Sequence, residues 1–196
     1  VDWNRRVNLT SVIEWQQVQT VHFLDSLTVA SALPPELRQG GQLLDVGAGA
    51  GFPGLPLKIA FPNLQLGLLE SVGKKVTFLR DLVNLLELPG VEVYHGRAEE
   101  LARTPQLREN FDAVVARGLA KMPILAELTL PFARVGGLVI AQKKGEITAE
   151  LERAREAVET LGGGPMTIRW LDVEGLDAPR ALTVALKVAP TPEAYP

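Results

Sequence analysis

The chain has 196 residues, 46% of them apolar, 22% charged and 6% aromatic, with a formal charge of −3 and no cysteine. One globular domain with a self-sufficient core fits this length. The composition excludes disulfides and thiolate metal sites, and no apolar run is long enough to span a membrane. No charged-then-apolar leader is visible, so a cytoplasmic monomer is the expectation.

In chain order, residues 12–32 read as an amphipathic helix, with Val18, Val21, Phe23, Leu24, Leu27 and Val29 on the apolar side. Short apolar runs at 42–46, 64–69, 91–94, 111–116 and 138–141 read as strands. Between them, Val72, Val76, Leu79, Val83 and Leu86 share one helical face, and residues 122–132 form the next helix. A further helix over 147–161 stops at Gly162-Gly163-Gly164. Strands alternating with helices of this length predict a parallel sheet covered on both faces. The end differs. Residues 166–171 and 181–188 are strands joined by a short polar link that holds no crossover helix, so they pair antiparallel. The whole reads as one domain: a helical cap over 1–40, an α/β core over 41–188 and a tail over 189–196.

The strongest local signal is Asp45-Val46-Gly47-Ala48-Gly49-Ala50-Gly51-Phe52-Pro53-Gly54. Three glycines at two-residue spacing after the first strand open a tight turn onto a helix, where a ligand can approach backbone N–H groups. Gly49-x-Gly51-x-x-Gly54 matches a dinucleotide fingerprint, which would suit an NAD oxidoreductase, but the first glycine of that fingerprint ends the strand and Gly49 lies two residues past Gly47. No lysine follows at the position a phosphate-binding loop needs. Ligands of open α/β sheets sit beyond the carboxyl ends of the strands. Here those ends read Gly47, Glu70, Gly96 to Glu99, Arg117 and Lys143.

Asp45-x-Gly47-x-Gly49-x-Gly51 resembles the first motif of S-adenosylmethionine-dependent methyltransferases with a Rossmann-like sheet. Further stretches narrow the likeness: Asn8-Leu9-Thr10, His22-x-x-Asp25-Ser26, Gly51-Phe52-Pro53-Gly54, Leu69-Glu70-Ser71-x-Gly73-Lys74-Lys75, Arg97-Ala98-Glu99-Glu100 and Ala116-Arg117-Gly118. Together they resemble the bacterial 16S ribosomal RNA guanine-N7 methyltransferases, the glucose-inhibited division protein B family. The resemblance implies a class I fold: a seven-stranded, mostly parallel sheet with a C-terminal antiparallel hairpin and an N-terminal helical flap. It implies S-adenosylmethionine as cofactor, held by Gly47, Gly49 and Phe52, by Glu70 and Ser71 at the ribose, by Ala98 and Glu99 near the adenine, and by Arg117 at the pocket border. Glu70 stands where the family more often has aspartate. The implied substrate is a guanine in the 530 loop region of 16S rRNA, free or in the small ribosomal subunit.

Guanine N7 carries a lone pair and no proton, so methylating it needs no general base. Placement and a dry pocket suffice, in keeping with a sequence that shows no nucleophile–base set. An arginine in that pocket must leave N7 free and address O6 or phosphate, although arginine ordinarily reads guanine through both atoms. His22, Asp25 and Arg117 are expected on the guanine side. Plainer roles are open to each: packing for His22, helix stabilisation for Asp25, a structural ion pair for Arg117. Arg5, Arg6, Lys74, Lys75, Lys143 and Lys144 are expected at RNA phosphates. The overall acidity does not oppose this. Residues 146–196 carry 5 basic and 9 acidic groups, whereas residues 41–145, which hold the cofactor motifs, carry 12 and 10. The alternatives at this point are a methyltransferase of the same fold acting on a small molecule or protein, an NAD oxidoreductase, and a non-catalytic binding module.

Overall fold

The computed structural model describes residues 2–196. Seven strands form one sheet: β1 (Gln42–Val46), β2 (Gln65–Glu70), β3 (Val91–His95), β4 (Phe111–Arg117), β5 (Ala133–Lys144), β6 (Thr167–Leu171) and β7 (Arg180–Leu186). Their order across the sheet is β3-β2-β1-β4-β5-β7-β6. The first five strands are parallel, and β7 inserts antiparallel between β5 and β6. Chain direction across the sheet reverses at β1, which pairs with both β2 and β4. A crevice must open above their carboxyl ends, because the connections leave β1 and β4 toward opposite sides.

The helices are α1 (Asp2–Val7), α2 (Trp15–Val18), α3 (Asp25–Leu27), α4 (Pro35–Arg38), α5 (Gly54–Ala60), α6 (Gly73–Leu85), α7 (Ala98–Leu101), α8 (Met122–Thr129) and α9 (Thr148–Thr160). Successive strand residues point to opposite faces, and the core divides accordingly. Leu44, Val46, Val114 and Ala116 pack with Leu125 of α8 and Val158 of α9 on one face. Leu43, Leu66, Leu68 and Val115 pack with Leu55, Leu79 and the cap residues Val29 and Leu33 on the other. Among the described residues, no helix is long and apolar enough to cross a membrane.

The single helix expected over 12–32 is instead a path of changing pitch. Trp15–Val18 is α-helical, Gln19–Leu24 π-helical, Asp25–Leu27 α-helical and Thr28–Ala32 a 3-10 turn. Hydroxyls compete for its carbonyls: Ser26 Oγ donates to His22 O, Thr28 Oγ1 to Asp25 O and Ser31 Oγ to Thr28 O. The amide of Gln142 on β5 takes Asp25 O as well, at 2.6 Å. The helix expected to run to 132 ends at Thr129, and Leu130–Phe132 tightens to a 3-10 turn because Pro131 has no N–H to continue the α-helical ladder. Strand β5 begins at Ala133, well before the expected 138. Its Gly137 passes so close to the neighbouring backbone that a Cβ would lie 2.9 Å from Phe111 O. That approach lets the strand start early across an irregular stretch of the β4 ladder.

Candidate functional site

The site begins at the end of β1. Gly47 and Gly51 have φ of +72° and +88°, a region that excludes most side chains. A Cβ on Gly47 would stand 2.6 Å from Leu119 Cδ1, and one on Gly51 2.3 Å from Leu55 Cδ1. The loop is therefore both bent and pressed against its neighbours. Gly49 lies between them, and its N–H donates to Glu70 Oε2 at 2.9 Å. The other oxygen of Glu70 accepts from Val72 N–H at 2.8 Å. Glu70 thus fixes both the glycine loop and the entry to α6, and each oxygen retains a lone pair for a further donor.

Beneath the loop lies Asp45, fully buried. Its Oδ2 accepts from Gly54 N–H at 2.8 Å, while its Oδ1 has no hydrogen-bond partner. Burial pushes the carboxyl up to about 7, with Gly54 N–H and Arg117 opposing. The sequence motif contains Asp45, but composition and spacing gave it no separate role.

On the far side of the crevice stands Arg117, at the end of β4. Its Nη1 donates to Asp25 Oδ2 at 3.0 Å and to Val21 O at 3.4 Å. Its guanidinium carbon lies 5.3 Å from the centroid of Phe52, close enough for cation–π attraction. Burial works against its charge, and Asp25 works for it. Both of these bonds use Nη1, so the Nε and Nη2 edge of the fork is left for a ligand.

Asp25 itself departs from expectation. Its side chain is 8% exposed. While Oδ2 serves Arg117, Oδ1 accepts from Arg180 Nε at 2.6 Å and from Gln142 Nε2 at 3.0 Å. A buried carboxylate that accepts from three donors anchors Arg117. Arg180 also pairs with Asp177 at 3.0 Å, which in turn pairs with Lys144. Arg180 and Gln142 were not anticipated. They lie on the C-terminal strands, 155 and 117 residues from Asp25, and no local spacing marks them.

The ring of Phe52 is surrounded. His22 stacks on it at 4.9 Å between centroids, and Phe23 meets it edge-on at 5.3 Å. Thr10 Oγ1 accepts from Val12 N–H at 3.0 Å and lies 2.7 Å from His22 Nε2. Having accepted from Val12, the hydroxyl can give its proton to Nε2, which leaves the imidazole proton on Nδ1, facing Val21 O at 3.1 Å. Desolvation and Arg117 lower the pKa of His22, favouring this neutral form. Asn4 holds the turn that presents Thr10: its Oδ1 accepts from Leu9 and Thr10 N–H, and its Nδ2 donates to Thr10 O. The Asn8-Leu9-Thr10 stretch therefore has a structural reason.

The other anticipated residues divide. Ala98 is buried at the start of α7, whereas Ser71 and Glu99 are exposed beside the ends of β2 and β3. Gly96 N–H donates to Glu70 O at 3.2 Å, which draws the two strand ends together. Arg5, Arg6 and Lys74 are exposed and Lys75 partly so. Lys143 departs from expectation. Its amine donates to Ala120 O at 2.7 Å and to Glu150 at 2.8 Å, so it ties the loop after β4 to α9 and is not presented to phosphate. Lys144 remains at the rim in its pair with Asp177. The described residues hold no His, Asp or Glu cluster suited to a metal.

Known proteins bear directly on this geometry. A methyltransferase of Aquifex aeolicus, described as SAM-dependent, superposes with a TM-score of 0.63 at 17% identity, over 91% of this chain and 97% of that one. A precorrin-6y C5,15-methyltransferase of Geobacter metallireducens gives a TM-score of 0.59 at 20% identity, over 91% of each chain. At such identities the likeness concerns the fold alone. The sequence goes further. The ribosomal RNA small subunit methyltransferase G of Dehalococcoides mccartyi strain CBDB1 is 47% identical over 196 residues, all of this chain and 82% of that protein. The protein of the same name from Roseiflexus sp. strain RS-1 is 47% identical over 194 residues, 99% of this chain and 81% of its own length. The model of the family GidB, rRNA small subunit methyltransferase G, matches residues 1–174, and the chain belongs to that family.

Proposed function

We propose that the protein transfers a methyl group from S-adenosylmethionine to N7 of a guanine in 16S rRNA, in the 530 loop region, acting as a cytoplasmic monomer on the RNA or the small subunit. The observation that carries this reading is the crevice above β1 and β4. A carboxylate-braced glycine loop faces an arginine held by a buried aspartate there.

The residues fit the cofactor. Glu70 keeps lone pairs suited to a ribose diol, the glycine loop presents backbone at close range, and Asp45 holds an orphaned carboxylate oxygen in a buried position. Ser71, Ala98 and Glu99 would border the adenosine. S-adenosylmethionine, when bound, supplies an electrophilic methyl group on a sulfonium that departs without assistance. The protein's task is to place the guanine and exclude water. Phe52, with His22 stacked on its ring and Arg117 over it, forms the apolar border of the crevice. Arg117, with Nη1 committed to Asp25 and Val21 O, has its Nε and Nη2 edge to offer O6 while N7 stays unprotonated and free. His22, neutral and packed on Phe52, positions that ring rather than moving a proton.

The test is transfer of labelled methyl from S-adenosylmethionine to small-subunit RNA, large-subunit RNA and a panel of small amines and hydroxyls. Label in small-subunit RNA alone supports the reading. Label only in the small molecules would replace it with another methyltransferase of this fold. A thermal shift with NAD and none with S-adenosylmethionine would replace it with an oxidoreductase.

A further inference from the structure

A cleft of about 480 Å3 opens beside the crevice, between the cap and α6. Five of the chain's Phe, Trp and Tyr residues line it: Trp3, Trp15, Phe23, Phe52 and Phe78. That is a high concentration in a chain only 6% aromatic. Trp3 meets Phe78 edge-on at 5.6 Å and forms one wall. Trp15 is 71% exposed and neighbouring Ile13 69% exposed. Large apolar side chains so exposed at the mouth of an apolar cleft gain from a partner, since each forgoes burial otherwise.

The charges at its rim are of both signs, with Asp81 three residues after Phe78 on α6 and Glu14 exposed beside Trp15, but cations are in excess on the α1 and α6 side. Lys74 and Lys75 lie one turn before Phe78 on α6, at i−4 and i−3, and so share its face. Arg6 lies three residues after Trp3 on α1, again one turn away. Lys74 and Arg6 are exposed. The side chains lining the cleft itself include no Asp, Glu, Lys or Arg, so every formal charge lies at its rim. Aromatic faces between cations suit a flexible polyanion whose monomers carry flat apolar rings. The cleft is also continuous with the crevice, because His22 and Phe52 line both.

We propose that this cleft binds the unpaired nucleotides that flank the target guanine, with a base stacked on Trp15 and phosphates at Lys74, Lys75 and Arg6. The proposal rests on the reading of the protein as an rRNA methyltransferase. Trp15 is then a binding residue for the RNA and has no part in cofactor binding.

The experiment measures initial rates against concentration of small subunits lacking the modification, at saturating S-adenosylmethionine, for the full chain and for Trp15→Ala, Trp15→Phe and Lys74→Ala/Lys75→Ala. Thermal unfolding and calorimetry with S-adenosylmethionine accompany each variant. Losing one base–aromatic stack predicts that Trp15→Ala raises KM at least about fivefold with kcat and cofactor affinity unchanged. Trp15→Phe recovers most of the loss, and the double lysine variant flattens the dependence of KM on salt. A KM for Trp15→Ala within about twofold of the parent overturns the proposal. So does an unchanged KM with a lowered unfolding temperature, which would make the cleft a packing surface for protein. If the parent binds S-adenosylmethionine yet methylates no small-subunit RNA, the reading beneath fails first, and this proposal with it.

Discussion

Replacing Asp25 with alanine tests how the site is held together. Asp25 is buried between Arg180, whose side chain is 5% exposed, and Arg117, at 17%. Its removal leaves two guanidinium groups near each other and withdraws the acceptor that Gln142 also uses. Arg180 keeps Asp177 at 3.0 Å, so its loss is partial, whereas Arg117 keeps only Val21 O at 3.4 Å. Breaking a buried pair from one side costs about 3–5 kcal/mol. The retained Asp177 pair places this case near 3 kcal/mol, or a fall of about 6–12 °C in unfolding temperature for a domain of this size. Urea and thermal unfolding at pH 7 read the stability, and single-turnover methyl transfer at 20 °C reads the site in the fraction that stays folded. Transfer should fall at least about tenfold, through loss of Arg117 orientation, with cofactor affinity changed much less. Stability within about 1 kcal/mol of the parent together with intact transfer would refute the anchoring role.

Other substitutions probe the remaining parts. Burial holds the Asp45 carboxyl at about 7 when folded, against an ordinary value of 3.8. The folded state therefore keeps a proton that the unfolded chain releases, and stability falls as pH rises from about 4 to about 7. The gap is worth up to about 4 kcal/mol, and the stability difference between the parent and Asp45→Asn should shrink by an amount of that order across the window. A flat difference in urea titrations from pH 4 to 8 contradicts it. Glu70→Gln puts an amide where two backbone N–H groups now point, and calorimetry should show S-adenosylmethionine bound at least about tenfold more weakly; unchanged affinity would remove Glu70 from the ribose edge. Lys143→Ala should lower stability by about 1–2 kcal/mol and leave KM for the small subunit unaltered. A raised KM would return Lys143 to the RNA surface.

The sheet was legible because its signals are local. Apolar runs punctuated by Gly47, Glu70 and Arg117 fix where strands end, and the short link between β6 and β7 compels an antiparallel pair. The register that brings Lys144 opposite Arg180 has no such local mark. That register carries Arg180 to Asp25 and decides that Asp25 is an anchor. Lys143 read as surface charge for a similar reason: nothing near it in sequence announces Ala120 O, and Glu150, seven residues on, lies on a different element. The cap was misread because periodicity reports which residues face the core and not the pitch of the backbone. Residues 15–32 keep an apolar side while passing through four helical segments of three geometries, and the hydroxyls of Ser26, Thr28 and Ser31 compete for carbonyls where the pitch changes.

The direct measurement maps N7-methylguanine across small-subunit rRNA, by borohydride–aniline cleavage or mass spectrometry, in cells with and without the protein and after adding it back with S-adenosylmethionine. One guanine in the 530 loop region should carry an N7-methyl group only when the protein is present, and lose it again with Arg117→Ala. Identical maps with and without the protein would contradict it.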